Sequence, residues 1–204
     1  MSVSVELLAA FCVFAVATLF TPGPNNVMLM ASGLNFGLPR TWAHIFGVGL
    51  GFALMFLLVG LGLGALFTAW PVLYTLLKYA GAAYLLYFAW LIATAAPATE
   101  GEAARGRPLT FVEAAAFQWV NPKGWVVAVG ATASYAALAA FPANIAIMTV
   151  LFALLGLLSA LTWAWFGSGL RTVLRRPGAV RVFNVVMALL LVASIYPVVA
   201  GFGG

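Results

Sequence analysis

Two short polar interruptions stand inside otherwise apolar sequence, and their residue types are those that handle a small polar solute. The first is Thr21-Pro22-Gly23-Pro24-Asn25-Asn26 and the second is Asn121-Pro122-Lys123-Gly124. Proline has no backbone N–H and clashes with the turn before it, so each motif breaks a helix. A break strands carbonyls and amides, and Thr21, Asn25 and Asn26 are equipped to satisfy them. Asparagine is also a favoured N-cap. A cap that borders a cavity can orient a solute as well, so Asn25, Asn26 and Asn121 carry both readings. Lys123 is the only charge near the middle of any apolar run. Beside half-helix N-termini such a cation suits a carboxylate.

These motifs need elements that hold them away from bulk water. Of the 204 residues, 65% are hydrophobic and 6% are charged, and mean hydropathy is +1.13. A soluble domain carries about 25% charged residues, so a soluble globular fold is excluded, and disorder with it. A membrane span takes about 20 apolar residues. The length therefore accommodates six spans and no separate soluble domain. The apolar runs are 5–36, 42–67, 71–96, 111–138, 143–169 and 182–202, with a polar linker at 97–110. They are too long for barrel strands, which alternate over roughly ten residues. In this setting a central lysine costs about 2.5–3.5 kcal/mol, which points to function for Lys123 rather than snorkelling.

The charges order the spans. Arg40 follows the first run, Arg105 and Arg107 the third, and Arg171, Arg175, Arg176 and Arg181 the fifth. The other two connections hold no Lys or Arg. With six spans all basic loops fall on one side, which the positive-inside rule makes cytoplasmic. Both termini are then periplasmic or extracellular. Pro22 and Pro122 each interrupt the first run of a three-run half, and three spans per half invert one half against the other. The predicted fold is an all-α membrane protein: one domain over 1–204, with halves 1–96 and 111–204 as inverted repeats joined by a cytoplasmic linker at 97–110.

The remaining candidates read more plainly. Glu113, at the inner start of run four, suits a helix N-terminus, and a proton-coupling carboxylate is its functional alternative. His44, the only histidine, reads as interfacial or packing, with proton relay as the alternative. Lys78 lies near the outer face and reads as snorkelling, with a vestibule role as the alternative. One His, one Cys and four Glu cannot assemble a metal site, and neither metal nor cofactor is expected. Cys12 alone forms no internal disulfide. The N-terminus lacks the basic stretch of a cleaved signal peptide, so the first run reads as a retained helix. Gly47-Val48-Gly49-Leu50-Gly51 and Gly60-Leu61-Gly62-Leu63-Gly64 read as close helix packing rather than a nucleotide loop. Such faces pack equally well within one chain or in a homo-oligomer. The net charge of +5 serves topology and the lipid surface, not nucleic acid.

The motifs together resemble the LysE/RhtB amino-acid exporter family. The resemblance rests on Thr21 to Asn26 with Ala31-Ser32-Gly33-Leu34-Asn35-Phe36-Gly37, on Lys78-Tyr79-Ala80-Gly81 through Tyr87, and on Phe117-Gln118-Trp119-Val120-Asn121-Pro122-Lys123-Gly124-Trp125. It covers essentially the whole chain. It implies a bacterial inner-membrane exporter of amino acids or close derivatives, driven by the proton-motive force, with the two proline motifs as its transport core. Alternating access between the halves is the expected mechanism. No acid lies near a run centre, which favours a neutral amino acid. The rival classes are a passive channel and an intramembrane enzyme. The latter would need His44 with Ser32 or Ser168, and neither serine has a nucleophile motif around it.

Overall fold

The computed structural model describes residues 3–63, 69–95, 106–174 and 176–196. Most of the expected linker lies outside the described residues, as do Arg105, Arg175 and Gly64. Among the described residues no strand occurs, and eight α-helices form a bundle with one short wide turn at Val59–Leu63 and one short tight turn at Ala136–Leu138.

Helix α1 (Val5–Phe20) starts at Ser4, whose Oγ accepts from the Leu7 amide. It stops at Thr21, as the prolines at 22 and 24 require. Helix α2 (Pro24–Phe36) begins with proline at its first position, where the missing N–H costs nothing. The axes of α1 and α2 differ by 55°. A single residue, Gly37 at φ 77°, turns α2 into α3 (Leu38–Leu58). Only glycine adopts that backbone freely. The helix therefore starts four residues before the run expected at 42–67, because Pro39 fits its first turn rather than ending it. Helix α3 runs on through a wider turn at Val59–Leu63.

Helix α4 (Pro71–Thr94) precedes the linker. Helix α5 (Phe111–Val120) opens with a capping box: Thr110 Oγ1 accepts from the Glu113 amide, and Glu113 accepts from the Thr110 amide. Asn121 separates it from α6 (Pro122–Ser134), which again has proline at its first position. Helix α7 (Ala143–Val173) passes the expected end at 169 and carries Arg171 in its last turn, where a cation is favoured. Helix α8 (Pro177–Ala193) likewise starts before the run at 182, at a proline.

Among the described residues three helices are long and apolar enough to cross a membrane alone, within Leu38–Leu63, Thr75–Thr94 and Ala143–Val173, and the bent pair α1–α2 makes up to four. Helix α2 is the centre: twelve of its thirteen residues are buried. It packs against α7, which also packs against α3. At the α2–α7 crossing the backbones touch, with Gly33 against Ala164 and Gly167 against Met30. Gly47 and Gly51 of α3 lie on Phe111, Ala114 and Ala115 of α5, and Gly49 and Gly60 lie on Leu157 and Ile145. The glycine-rich stretches thus serve close packing. Phe152 is the hub of one core region, its ring 4.8–5.2 Å from those of Phe11, Phe52 and Phe56. Outward faces carry bare Leu54, Leu76, Trp90, Val126, Leu154 and Leu189, a surface suited to acyl chains.

Candidate functional site

The two proline motifs, about a hundred residues apart, meet at one cavity. Its wall includes Gly23, Asn25, Asn26, Asn121, Lys123 and Ser159, and its volume is about 50 Å³. All the site residues named from the motifs lie at this junction, Thr21 and Pro22 as the exposed bend leading into it and Pro24 and Pro122 as the first residues of α2 and α6. Lys123, half-buried, reaches from α6 across the break, and its Nζ donates to Thr21 O at 2.8 Å. It passes so close to Gly23 that a Cβ there would sit 3.2 Å from Nζ. One ammonium thus stands where the N-termini of α2 and α6 converge. The first turn of any helix leaves amides without intrahelical partners, and their field favours an anion.

Three carbonyls at the end of α1, those of Ala17, Leu19 and Thr21, are answered by this chain. Asn26 Nδ2 donates to Leu19 O at 3.0 Å and Thr21 O at 2.9 Å, and Ser159 Oγ from α7 donates to Leu19 O at 2.8 Å. Thr21 Oγ1 donates back to Ala17 O. The carbonyls of Ala17, Leu19 and Thr21 are therefore engaged within the chain; those of Thr18 and Phe20, whose i+4 residues Pro22 and Pro24 have no N–H to donate, are not among them. Nor do Asn25 and Asn26 cap α2: Gly23 holds the cap position, because Pro24 already starts the helix. Asn25 instead forms a reciprocal carboxamide pair with Gln118 of α5, at 2.8 and 3.1 Å. Asn121 does hold the cap position of α6, yet its side chain caps nothing. Its Oδ1 is buried with no hydrogen-bond partner. A buried acceptor left unmade costs about 1–3 kcal/mol, and Asn121, a residue of the cavity wall, carries one.

A second cavity, about 150 Å³, opens further along α2 toward the linker end. Ser32, Asn35, His44, Tyr87, Arg107 and Glu113 are on its wall. His44 is 1% exposed, so it is a core histidine rather than an interfacial one. Its Nδ1 lies 3.0 Å from Ser32 Oγ, and its Nε2 has no partner. Glu113 holds Arg107 in a two-point ion pair at 2.5 and 2.6 Å. The Glu113 hydrogen bond and charge raise the Arg107 pKa above its ordinary value. A second reciprocal carboxamide pair, Asn35 with Asn184 of α8 at 2.7 and 2.8 Å, ties down this end of α2. Ser168 plays no part with His44, and nothing holds the far side of the imidazole as a nucleophilic dyad requires.

Gln118, Ser159 and Asn184 escaped the sequence reading. Their signal was polarity inside an apolar run, which in lipid calls for a partner. No group of three metal-binding side chains occurs among the described residues.

The LysE type translocator family matches residues 16–194. The chain belongs to this family. Among similar proteins are the cysteine/O-acetylserine efflux proteins of Escherichia coli strain K12 and of Shigella flexneri, each 33% identical over 191 residues that cover 91% of this chain and 94% of the relative. That of Escherichia coli O139:H28 is 32% identical over the same length. No solved structure matches the chain. As a LysE type translocator the protein is a membrane transporter of the amino-acid efflux class and not an enzyme. Both proline motifs lie inside the span that the family covers.

Proposed function

We propose that this translocator exports a small neutral amino acid or close derivative, of the cysteine or O-acetylserine type, across the bacterial inner membrane by alternating access driven by the proton-motive force. One observation carries the reading: two broken helices converge their N-termini and a single lysine on one cavity. The substrate carboxylate takes the Lys123 ammonium and the first-turn amides of α2 and α6. Its ammonium takes Asn121 Oδ1, the buried acceptor without a partner. Asn25, held by Gln118, fixes the wall between them. No carboxylate lines this cavity, which supports a neutral rather than a cationic substrate. The efflux activity named for the similar proteins points to the same substrate size.

In this reading the bent pairs α1–α2 and α5–α6 each make one span, and α3, α4, α7 and α8 make four more, with the halves inverted. Two contacts support a common basic face. Arg171 lies beside Gly37, and Arg40 lies over the Phe36 ring 5.7 Å from its centroid. Gly106, next to Arg107, also adjoins Phe36. That face is cytoplasmic and both termini are periplasmic. Glu113 and His44, on the cytoplasmic-side cavity, are the candidates for proton coupling.

The test is export from cells expressing the chain, with Lys123→Ala and Asn25→Ala as variants. Export falls at least tenfold in Lys123→Ala if its charge-assisted contact of about 1.5–3 kcal/mol is lost. Unchanged export at equal expression removes the site assignment. In loaded vesicles a protonophore abolishes accumulation by a coupled exporter, whereas a passive channel equilibrates the solute with or without the gradient.

A further inference from the structure

We propose that the second cavity is a separate binding site that receives a zwitterionic amino acid with a short polar side chain before it reaches the proline cavity. This rests on the export reading but assigns new residues. The cavity is about three times larger than the one at the breaks, 150 against 50 Å³. At its wall stand one fixed cation and one fixed anion, Arg107 and Glu113, already placed side by side at hydrogen-bond distance. A zwitterion presents the complementary pair. Its carboxylate takes the two-pronged guanidinium, for which arginine is suited. Its ammonium takes Glu113. The ion pair is then exchanged for two ion pairs with the ligand, so no charge is left bare.

The interior of the same cavity is chemically different. His44 is buried and its Nε2 lacks a partner, while its Nδ1 is held by Ser32 Oγ. An orphaned buried ring nitrogen calls for a donor or acceptor. A short side chain with a thiol, hydroxyl or ester oxygen supplies it. Phe88, Tyr87 and Ile92 close the remaining wall and disfavour a charged side chain. The ligand class is therefore a neutral amino acid whose side chain carries one hydrogen-bonding group.

Glu113 also belongs to the capping box of α5, so cap and charge must be separated. Glutamine at that position keeps a capping box but removes the charge. Thr110→Val does the reverse. The probe is O-acetyl-L-serine, measured as uptake into inside-out vesicles and as equilibrium binding to the chain in nanodiscs. Its decarboxylated analogue, 2-aminoethyl acetate, and its deaminated analogue, 3-acetoxypropanoate, serve as competitors. Arg107→Gln and Glu113→Gln each raise KM and Kd by about tenfold or more, the worth of one charge-assisted contact. Thr110→Val leaves KM unchanged. Neither analogue competes well with the wild type, and 3-acetoxypropanoate gains on the zwitterion in Glu113→Gln. An unchanged KM and Kd in both charge variants overturns the proposal, as does competition by both analogues equal to that of the probe. Saturable binding that both charge variants weaken, without transport, leaves this site standing and removes the export reading alone; no saturable binding, or binding that neither charge variant weakens, removes the site.

Discussion

The α2–α7 crossing makes a sharp prediction, because there two backbones meet with no side chain between them. An added Cβ at Gly33 would lie 2.0 Å from Ala164 O, and one at Gly167 would lie 2.0 Å from Met30 O. Ordinary contact begins at 3.4 Å, so each methyl demands a separation of about 1.4 Å. The obstacle is backbone in both cases, and no flexible side chain can move aside. Overpacking of this kind costs about 1–3 kcal/mol, and more where relief is blocked. For a chain of this size, about 3 kcal/mol lowers Tm by roughly 6–12 °C. Gly33→Ala and Gly167→Ala are the perturbations, and thermal unfolding in detergent is the assay. Moving the two helices apart once relieves both clashes. The double variant is therefore less destabilised than the two singles together.

Export should fall alongside stability. Asn25 is two turns from Gly33 on the same helix, and its bonds to Gln118 span only 2.8 and 3.1 Å. A displacement above 1 Å breaks them. Gly130→Ala and Gly169→Ala are the controls, since a Cβ at either meets nothing within 4 Å. Both should be neutral or gain up to about 1 kcal/mol in helix propensity. A Gly33→Ala protein that melts and exports like wild type refutes the argument, and so does full additivity of the two singles.

Other variants test the remaining contacts. Gln118→Leu strands the Asn25 carboxamide and costs about 2 kcal/mol, while adding Asn25→Leu recovers part of it; a double-mutant cycle in thermal unfolding should give a coupling of about 0.5–3 kcal/mol. Asn184→Leu leaves both Asn35 and Ala95 O short of a donor, and should destabilise by about 2 kcal/mol in the same assay. Phe152→Ala removes the ring shared by Phe11, Phe52 and Phe56, for a loss of about 3–5 kcal/mol.

The breaks at Pro22–Pro24 and at Asn121–Pro122 were legible because proline acts through its own covalent structure, whatever surrounds it. Lys123 was legible because a charge in an apolar run is conspicuous. Helix starts were read less well: the runs expected from 42 and 182 begin at Leu38 and Pro177, because Pro39 and Pro177 are first-turn residues. Of the two readings of Asn25 and Asn26 the capping one fails for the same reason, since Pro24 moves the helix start ahead of them. Pairing across the fold was out of reach. Asn25 finds Gln118 at 93 positions' remove, and Asn35 finds Asn184 at 149. Such partners depend on how helices are oriented, which periodicity in uniformly apolar runs does not encode. The second cavity stayed hidden likewise, since Ser32, Arg107 and Glu113 meet His44 only after four segments assemble.

The same helix links the two cavities and sets what must move between them. Asn25 lines the cavity at the breaks, and Ser32 lines the other. Seven residues separate them, about 10 Å along the axis of α2. On α5, Gln118 follows Glu113 by little more than a turn, so the Asn25–Gln118 pair stands at the boundary between the two spaces. Each of its neutral hydrogen bonds is worth about 0.5–1.5 kcal/mol net. Opening both costs about 1–3 kcal/mol, a small barrier for a step on the transport timescale. Displacing α2 bodily would also tear the backbone contact at Gly33 and Gly167 and the Asn35–Asn184 pair. If a solute passes between the two cavities as proposed, rotating two carboxamides costs less than displacing α2.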